Sequence, residues 1–181
     1  MIDIKLKSAL PYIGIPVLLG IFILLSFSRV DSLVILLHCL LIIFGYIIAV
    51  IDYKSKTIPN NLVLAMLAGW VLIVIPQLFF NIETTLVFLR HALFGLLVGG
   101  GLSILVYLIS RKGLGGGDVK FIAVTGLYVG MNGILSSMLF GSVLAGLTGL
   151  ILIIIKKIGR KDTIPLAPFL YIGILITVFF I

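Results

Sequence analysis

Apolar residues run in long unbroken stretches along this chain, and the polar ones are swept into short clusters between them. The stretches cover about 10–28, 33–51, 61–80, 85–110, 119–131, 134–155 and 164–181. Roughly 20 apolar residues in a helix cross the ~30 Å core of a bilayer, and most of these stretches approach or exceed that length. A transmembrane β-strand would show about ten residues of strict apolar and polar alternation, whereas 33–51 is apolar on every side. Helices are therefore predicted throughout. The fifth stretch is too short to cross by itself. Gly130, Asn132 and Gly133 mark a turn into the sixth, so the two make a pair of short or tilted helices. The first stretch follows Lys5 and Lys7 like a secretory signal, but it lacks a small-residue cleavage site before Arg29 and reads as a true span. The expected architecture is all-α: a single membrane-embedded domain over 1–181, a polytopic bundle of about six or seven transmembrane helices.

Charge then orients the bundle, because Lys and Arg in short loops are retained on the cytoplasmic side. With a cytoplasmic N-terminus, that side collects Lys5, Lys7, Lys54, Lys56, Arg111, Lys112, Lys120, Lys156, Lys157, Arg160 and Lys161, leaving Arg29 and Arg90 outside. This predicts a multi-pass protein of the plasma membrane whose basic face meets anionic inner-leaflet lipids, each cation contributing about 1 kcal/mol. Acids are scarce, only six in the chain, and two of them are placed by the same argument. Asp52 ends the second stretch and Asp118 begins the fifth, with a return trip between them, so both carboxylates fall on the cytoplasmic face. Cys39 is the lone cysteine and can form no internal disulfide or multi-thiolate zinc site, while His38 and His91 have no ligand spacing. No metal, organic cofactor or nucleic-acid partner is expected, and nothing in the pattern sets an oligomeric state.

Asp52 lies in Ile51-Asp52-Tyr53-Lys54-Ser55-Lys56-Thr57-Ile58-Pro59-Asn60-Asn61. Pro59 has no N–H and disfavours a helical residue before it, so the chain must leave the second helix after the aspartate and restart near Asn60. An anion on the last turn of a helix meets the negative end of its dipole, which favours the neutral acid. Asp118 lies in Lys112-Gly113-Leu114-Gly115-Gly116-Gly117-Asp118-Val119-Lys120. Four glycines in five positions suit a backbone that bends sharply or lets another chain close. Asp118 then opens a helix whose positive end favours the carboxylate. One acid pushed towards the neutral form and one towards the anion is what two-carboxylate hydrolysis needs. One takes a proton from water while its protonated partner polarises the scissile carbonyl. Close together, they would titrate as a coupled pair. The same spacing fits an N-cap beside an interfacial charge, or two acids that bind a cation or relay protons in a small transporter. A transporter would place acids near the bilayer midplane and repeat one motif in both halves; neither feature is found. Ser55 and Thr57 lack an activating His or Lys and predict no hydroxyl nucleophile.

Taken together, an aspartate ahead of Ile58-Pro59-Asn60, then Gly115-Gly116-Gly117-Asp118-Val119-Lys120, then Ile164-Pro165-Leu166-Ala167-Pro168-Phe169-Leu170 resembles the type IV prepilin peptidase family. That family shares its GxGD signature with archaeal preflagellin peptidases and, more remotely, with presenilin-like proteases. The resemblance runs from about residue 10 to the C-terminus. It implies a membrane aspartic endopeptidase that removes the short basic leader from pilin, pseudopilin or archaellin precursors at the cytoplasmic membrane face. Asp52 and Asp118 match the catalytic pair, and Gly115 and Gly117 the fixed glycines of the loop. Lys120 matches a position often basic in the family. It is read either as tuning the pair or touching substrate, or as a headgroup anchor. Ile58, Pro59, Asn60, Pro165 and Pro168 are read as loop support. Bifunctional members carry two Cys-x-x-Cys pairs in a cytoplasmic insertion and methylate the new amino terminus. A single cysteine predicts the short, peptidase-only form without that domain.

Small residues complete the pattern. Gly95 and Gly99, Gly126 and Gly130, and Gly141 and Ala145 are spaced to let membrane helices approach closely. Trp70 falls mid-stretch, where helix or lipid packing is expected, and Arg90 sits where its chain can snorkel outward.

Overall fold

The computed structural model describes residues 14–26, 31–110, 113–159 and 162–180, and among them all regular secondary structure is helical. Six helices follow one another: α1 (Gly14–Ser26), α2 (Ser32–Ser55), α3 (Asn60–Phe80), α4 (Ile82–Ile109), α5 (Gly116–Ile154) and α6 (Ala167–Phe180). Four of them, α2 to α5, are long and apolar enough to cross a membrane, and α1 and α6 are shorter apolar helices. Lys5, Lys7, Arg29, Arg111, Lys112, Arg160 and Lys161, which carry much of the charge asymmetry, lie outside the described residues.

The boundaries follow local chemistry. α2 runs past Asp52 to Ser55, one turn further than the apolar pattern, and stops where Lys56 turns left-handed with φ 53° and ψ 32°. Pro59, extended at φ −65°, then caps α3. It offers its carbonyl to the N–H of Leu62 at 3.1 Å, and its own missing N–H costs nothing at a helix start.

The expected turn between the fifth and sixth stretches resolves to one residue. Two helical runs within 116–154 meet at a kink, Asn132 and Gly133 are helical, and only Gly130 leaves helical geometry, at φ 69° and ψ −174°. That conformation is open to glycine and hostile to residues with a Cβ. The chain folds back there. Ile122, before the break, and Ile134, after it, both pack on Gly99 of α4. Asp118 shares a cavity with Ser142 and Ala145, although a straight helix would put roughly 36 Å between 118 and 142. α5 is thus a hairpin of two limbs, 116–129 and 131–154.

Backbone proximity holds these limbs to their neighbours. Gly95 of α4 lies against the backbone of Gly126 and Gly130, and a Cβ on either Gly95 or Gly126 would overlap the backbone of the other helix. Gly141 meets the backbone of Leu170, and Gly173 meets that of Ser137 and Gly141, seating α6 on the second limb. Ser137 Oγ donates to Thr177 Oγ1 at 3.0 Å across that seam. Trp70 is buried by helix packing, its Nε1–H donating to Leu127 O at 3.0 Å and its ring stacked on Phe88. Tyr128 reaches back to Met66 O at 2.6 Å. Around these contacts Leu37, Leu41, Ile48, Met66, Phe121 and Ile174 are buried completely. The outer surface is apolar as well, with Leu72, Phe79, Leu97, Leu108 and Leu139 more than half exposed. Helices apolar on both inner and outer faces fit a membrane protein.

Candidate active site

Three loops meet at one end of the bundle: that joining α2 to α3, that joining α4 to α5, and the approach to α6. Each brings one sequence motif. Asp52 projects from the last turn of α2 and is buried, only 4% exposed. Asp118 is the third residue of α5 and is half-buried. Both line one cavity of about 530 Å³, with Lys56, Gly115, Thr163 and Pro165 in its wall. The two acids are close enough for charge on Asp52 to be felt at Asp118. Buried acids at such range do not ionise independently.

Asp118 Oδ2 accepts the N–H of Gly115 at 3.2 Å, a one-way bond that closes the glycine loop on itself. Its other oxygen, Oδ1, is buried with no hydrogen-bond partner and is the unsatisfied polar atom of the cavity. Asp52 is supported differently. Its Oδ2 accepts the N–H of Ala167, the first residue of α6, at 3.0 Å. Helix starts leave N–H groups without intrahelical partners; Pro168 has none to offer and Phe169 gives its own to Leu166 O at 3.1 Å, so the Ala167 N–H is free for the carboxylate. An opposing helix, α6, therefore offsets the unfavourable end of α2. Asp52 sits at the negative end of α2 and the positive end of α6 together.

The supporting residues divide. Gly115 is in the cavity wall. Gly117 is not, but it joins the two motifs: a Cβ there would lie 2.9 Å from Ile58 Cβ and 3.2 Å from Ile58 O. Pro59 caps α3. Pro165 lines the cavity, while Pro168 faces a separate, almost wholly apolar one of about 400 Å³. Lys120 departs from the reading that it tunes the acids. Its Nζ donates to Asn60 Oδ1 at 3.0 Å, and the two line a different cavity beside α3. Two contacts had no sequence signal of their own: the Ala167 N–H on Asp52, and a bond from Lys56 Nζ to Thr163 O at 2.9 Å. Among the described residues no three His, Cys, Asp or Glu side chains gather as a metal cluster would require.

Residues 39–150, more than half of the chain and including both aspartates, match the type IV leader peptidase family. The chain belongs to that family. Among its relatives are three proteins described as prepilin leader peptidase/N-methyltransferase. That of Pectobacterium carotovorum subsp. carotovorum is 32% identical over 144 residues, covering 74% of this chain and 47% of the relative. That of Escherichia coli K12 is 28% identical over 137 residues, covering 71% and 56%. That of Xanthomonas campestris pv. campestris is 29% identical over 128 residues, covering 68% and 42%. The chain thus spans about half the length of these relatives. No solved structure matches it.

Proposed function

We propose that this leader peptidase family member is a membrane aspartic endopeptidase. It removes the short basic leader from type IV prepilin-like precursors, whether pilin, pseudopilin or archaellin, at the cytoplasmic face of the plasma membrane. The observation that carries the reading is the shared cavity: two acids from motifs 66 positions apart in the chain meet at one end of an apolar bundle. A precursor cut where its polar leader joins an apolar helix would keep that helix in lipid and present the junction at this depth. The transporter reading gains nothing from the same geometry, since both acids lie at a helix end.

Hydrolysis needs a water between the carboxylates. One, ionised, takes a proton from the water as its oxygen attacks the scissile carbonyl carbon; the other, protonated, gives its proton to the carbonyl oxygen. Collapse of the tetrahedral intermediate re-forms the C=O bond as one hydroxyl proton returns to the acid, breaks the C–N bond, and lets the leaving amine take up the proton held by the base. Each acid accepts one backbone N–H, Asp52 from Ala167 and Asp118 from Gly115, but Oδ1 of Asp118 has no partner, which makes Asp118 the natural carrier of the proton and reverses the preference that its helix start alone predicts.

The test is co-expression of a pilin-like precursor with the wild-type chain, Asp52→Asn or Asp118→Asn, read as a gel shift with the new amino terminus sequenced. Cleavage at the leader junction by the wild type alone supports the reading. Cleavage by either Asn variant removes the two-acid mechanism, and a folded wild type that cuts none of the three precursor classes removes the peptidase.

A further inference from the structure

Lys56 occupies a place that basic-face anchoring does not explain. It caps α2 in the left-handed region, at φ 53°, which residues bearing a Cβ seldom enter. Its N–H donates to the main-chain carbonyl of Asp52 at 2.7 Å. Its ammonium donates to Thr163 O at 2.9 Å, and both residues line the acid cavity. Four residues after Thr163, the Ala167 N–H returns to the Asp52 carboxylate at 3.0 Å. The connections close a ring: Asp52 backbone to Lys56, Lys56 side chain to Thr163, and the Thr163–Ala167 strap back to the Asp52 side chain.

The strap is also a partition. Lys56, Thr163, Ile164 and Pro165 line both the acid cavity and the apolar cavity beyond it. Release of the Lys56 bond would free the strap at its start, leaving the position of the Ala167 N–H to α6 and to the packing of Ile164 against Gly149. An exposed lysine that only met headgroups would have no need to point into this ring.

We propose that Lys56 is a positioning residue for the peptidase reaction, holding the 163–167 strap so that the Ala167 N–H stays on the Asp52 carboxylate. The inference rests on the two-acid function proposed above. It assigns Lys56 a role in setting the geometry of Asp52 and none in proton transfer. Because the bond is made to a backbone carbonyl, it needs a long cationic donor at position 56 and no particular side chain at position 163.

The test compares steady-state cleavage of a purified pilin-like precursor by the full chain in detergent micelles, for wild type, Lys56→Met, Lys56→Gly, Lys56→Arg, Lys54→Met and Asp52→Asn. Lys56→Met keeps the apolar stem and loses the donor; kcat is expected to fall about tenfold with KM within about twofold. Lys56→Gly suits the left-handed backbone and is expected to lose as much activity with thermal stability unchanged, which separates the tether from folding. Lys56→Arg restores a donor and is expected to return kcat to within about threefold of wild type. Lys54 lies on the exposed turn next to it, and Lys54→Met reports simple charge attraction of precursor or lipid. A wild-type kcat in Lys56→Met overturns the proposal. So does a loss confined to KM and matched by Lys54→Met, or a loss that follows thermal stability and is not rescued by Arg. Asp52→Asn reports on the parent reading: if it alone is inactive, the peptidase stands and the Lys56 role falls; if it is active, the two-acid function falls first.

Discussion

Asp118 is held by its own neighbourhood, the N–H on its carboxylate belonging to Gly115 three residues before it. Asp52 takes its N–H from Ala167, 115 residues further along the chain. One acid is set by a loop that can form as soon as its helix does. The other is set only after α2 and α6 have packed, through Gly45 against the ring of Tyr171 among other contacts. The two halves of the proposed site are therefore vulnerable in different places. Damage to the glycine loop acts at Asp118 directly, whereas Asp52 is exposed to anything that shifts the approach to α6.

The largest effects should not distinguish the two acids. Asn at either position keeps an oxygen to accept the local N–H, so Asp52→Asn and Asp118→Asn are both expected to fold and to lose cleavage by roughly 10³-fold, as loss of acid–base chemistry does. Single-turnover assays on micelle-purified protein check this; a variant retaining a tenth of wild-type rate would show that its acid is structural. Next comes Gly117→Leu. A Cβ at 2.9 Å from Ile58 Cβ forces the two motifs apart, and a displacement near 1 Å is expected to lower kcat by about 10²-fold. Gly117→Ala meets the same atom with less bulk and should fall between wild type and Gly117→Leu. Wild-type activity in Gly117→Leu would mean that the close approach of loop and turn is not needed.

On the Asp52 side the corresponding change is Pro165→Gly. Proline fixes φ in the strap that leads to Ala167, and glycine there adds backbone freedom without touching either acid. A loss of about fivefold in kcat is expected, with the thermal midpoint in detergent little altered. If Pro165→Gly proved more damaging than Gly117→Leu, the order of the comparison would reverse, and the non-local support of Asp52 would be the more demanding part of the site.

How far the sequence could be read follows the same division. Asp118 as a helix opener, Pro59 as a cap and the close approach at the glycine run were legible, because each depends on a few adjacent residues. The same-end placement of Asp52 and Asp118 was legible by counting passes through the bilayer. The short fifth stretch and its turn were legible as a break, but its reduction to Gly130 was not, since Asn132 and Gly133 carry equally strong turn preferences and are overridden by helical packing. The Ala167 N–H on Asp52 and the Lys56 bond to Thr163 were not legible. Both use a backbone atom on one side, and a backbone atom leaves no mark in the residue pattern. The proline-rich run from Pro165 to Pro168 was the nearest signal, since it fixes where α6 starts and so which N–H group is left over.

Lys120 gives the smallest expected effect and the sharpest check on that reading. Two residues past Asp118, it invites assignment to the acids, yet its ammonium is committed to Asn60 Oδ1 at 3.0 Å, on an exposed surface and beside a different cavity. Exposed charged contacts of this kind contribute about 0.2–1 kcal/mol, and here the bond links the second turn of α5 to the start of α3, a junction already fixed by Gly117 on Ile58. Lys120→Met is therefore expected to change kcat by about twofold and to leave KM unaltered, with Asn60→Ala doing the same and the double variant adding nothing further, since both remove one bond. A fall of about 10²-fold in Lys120→Met with Asn60→Ala unaffected would place the ammonium on the acids or the substrate during the reaction, and Asp118 would then depend on a partner absent from its resting surroundings.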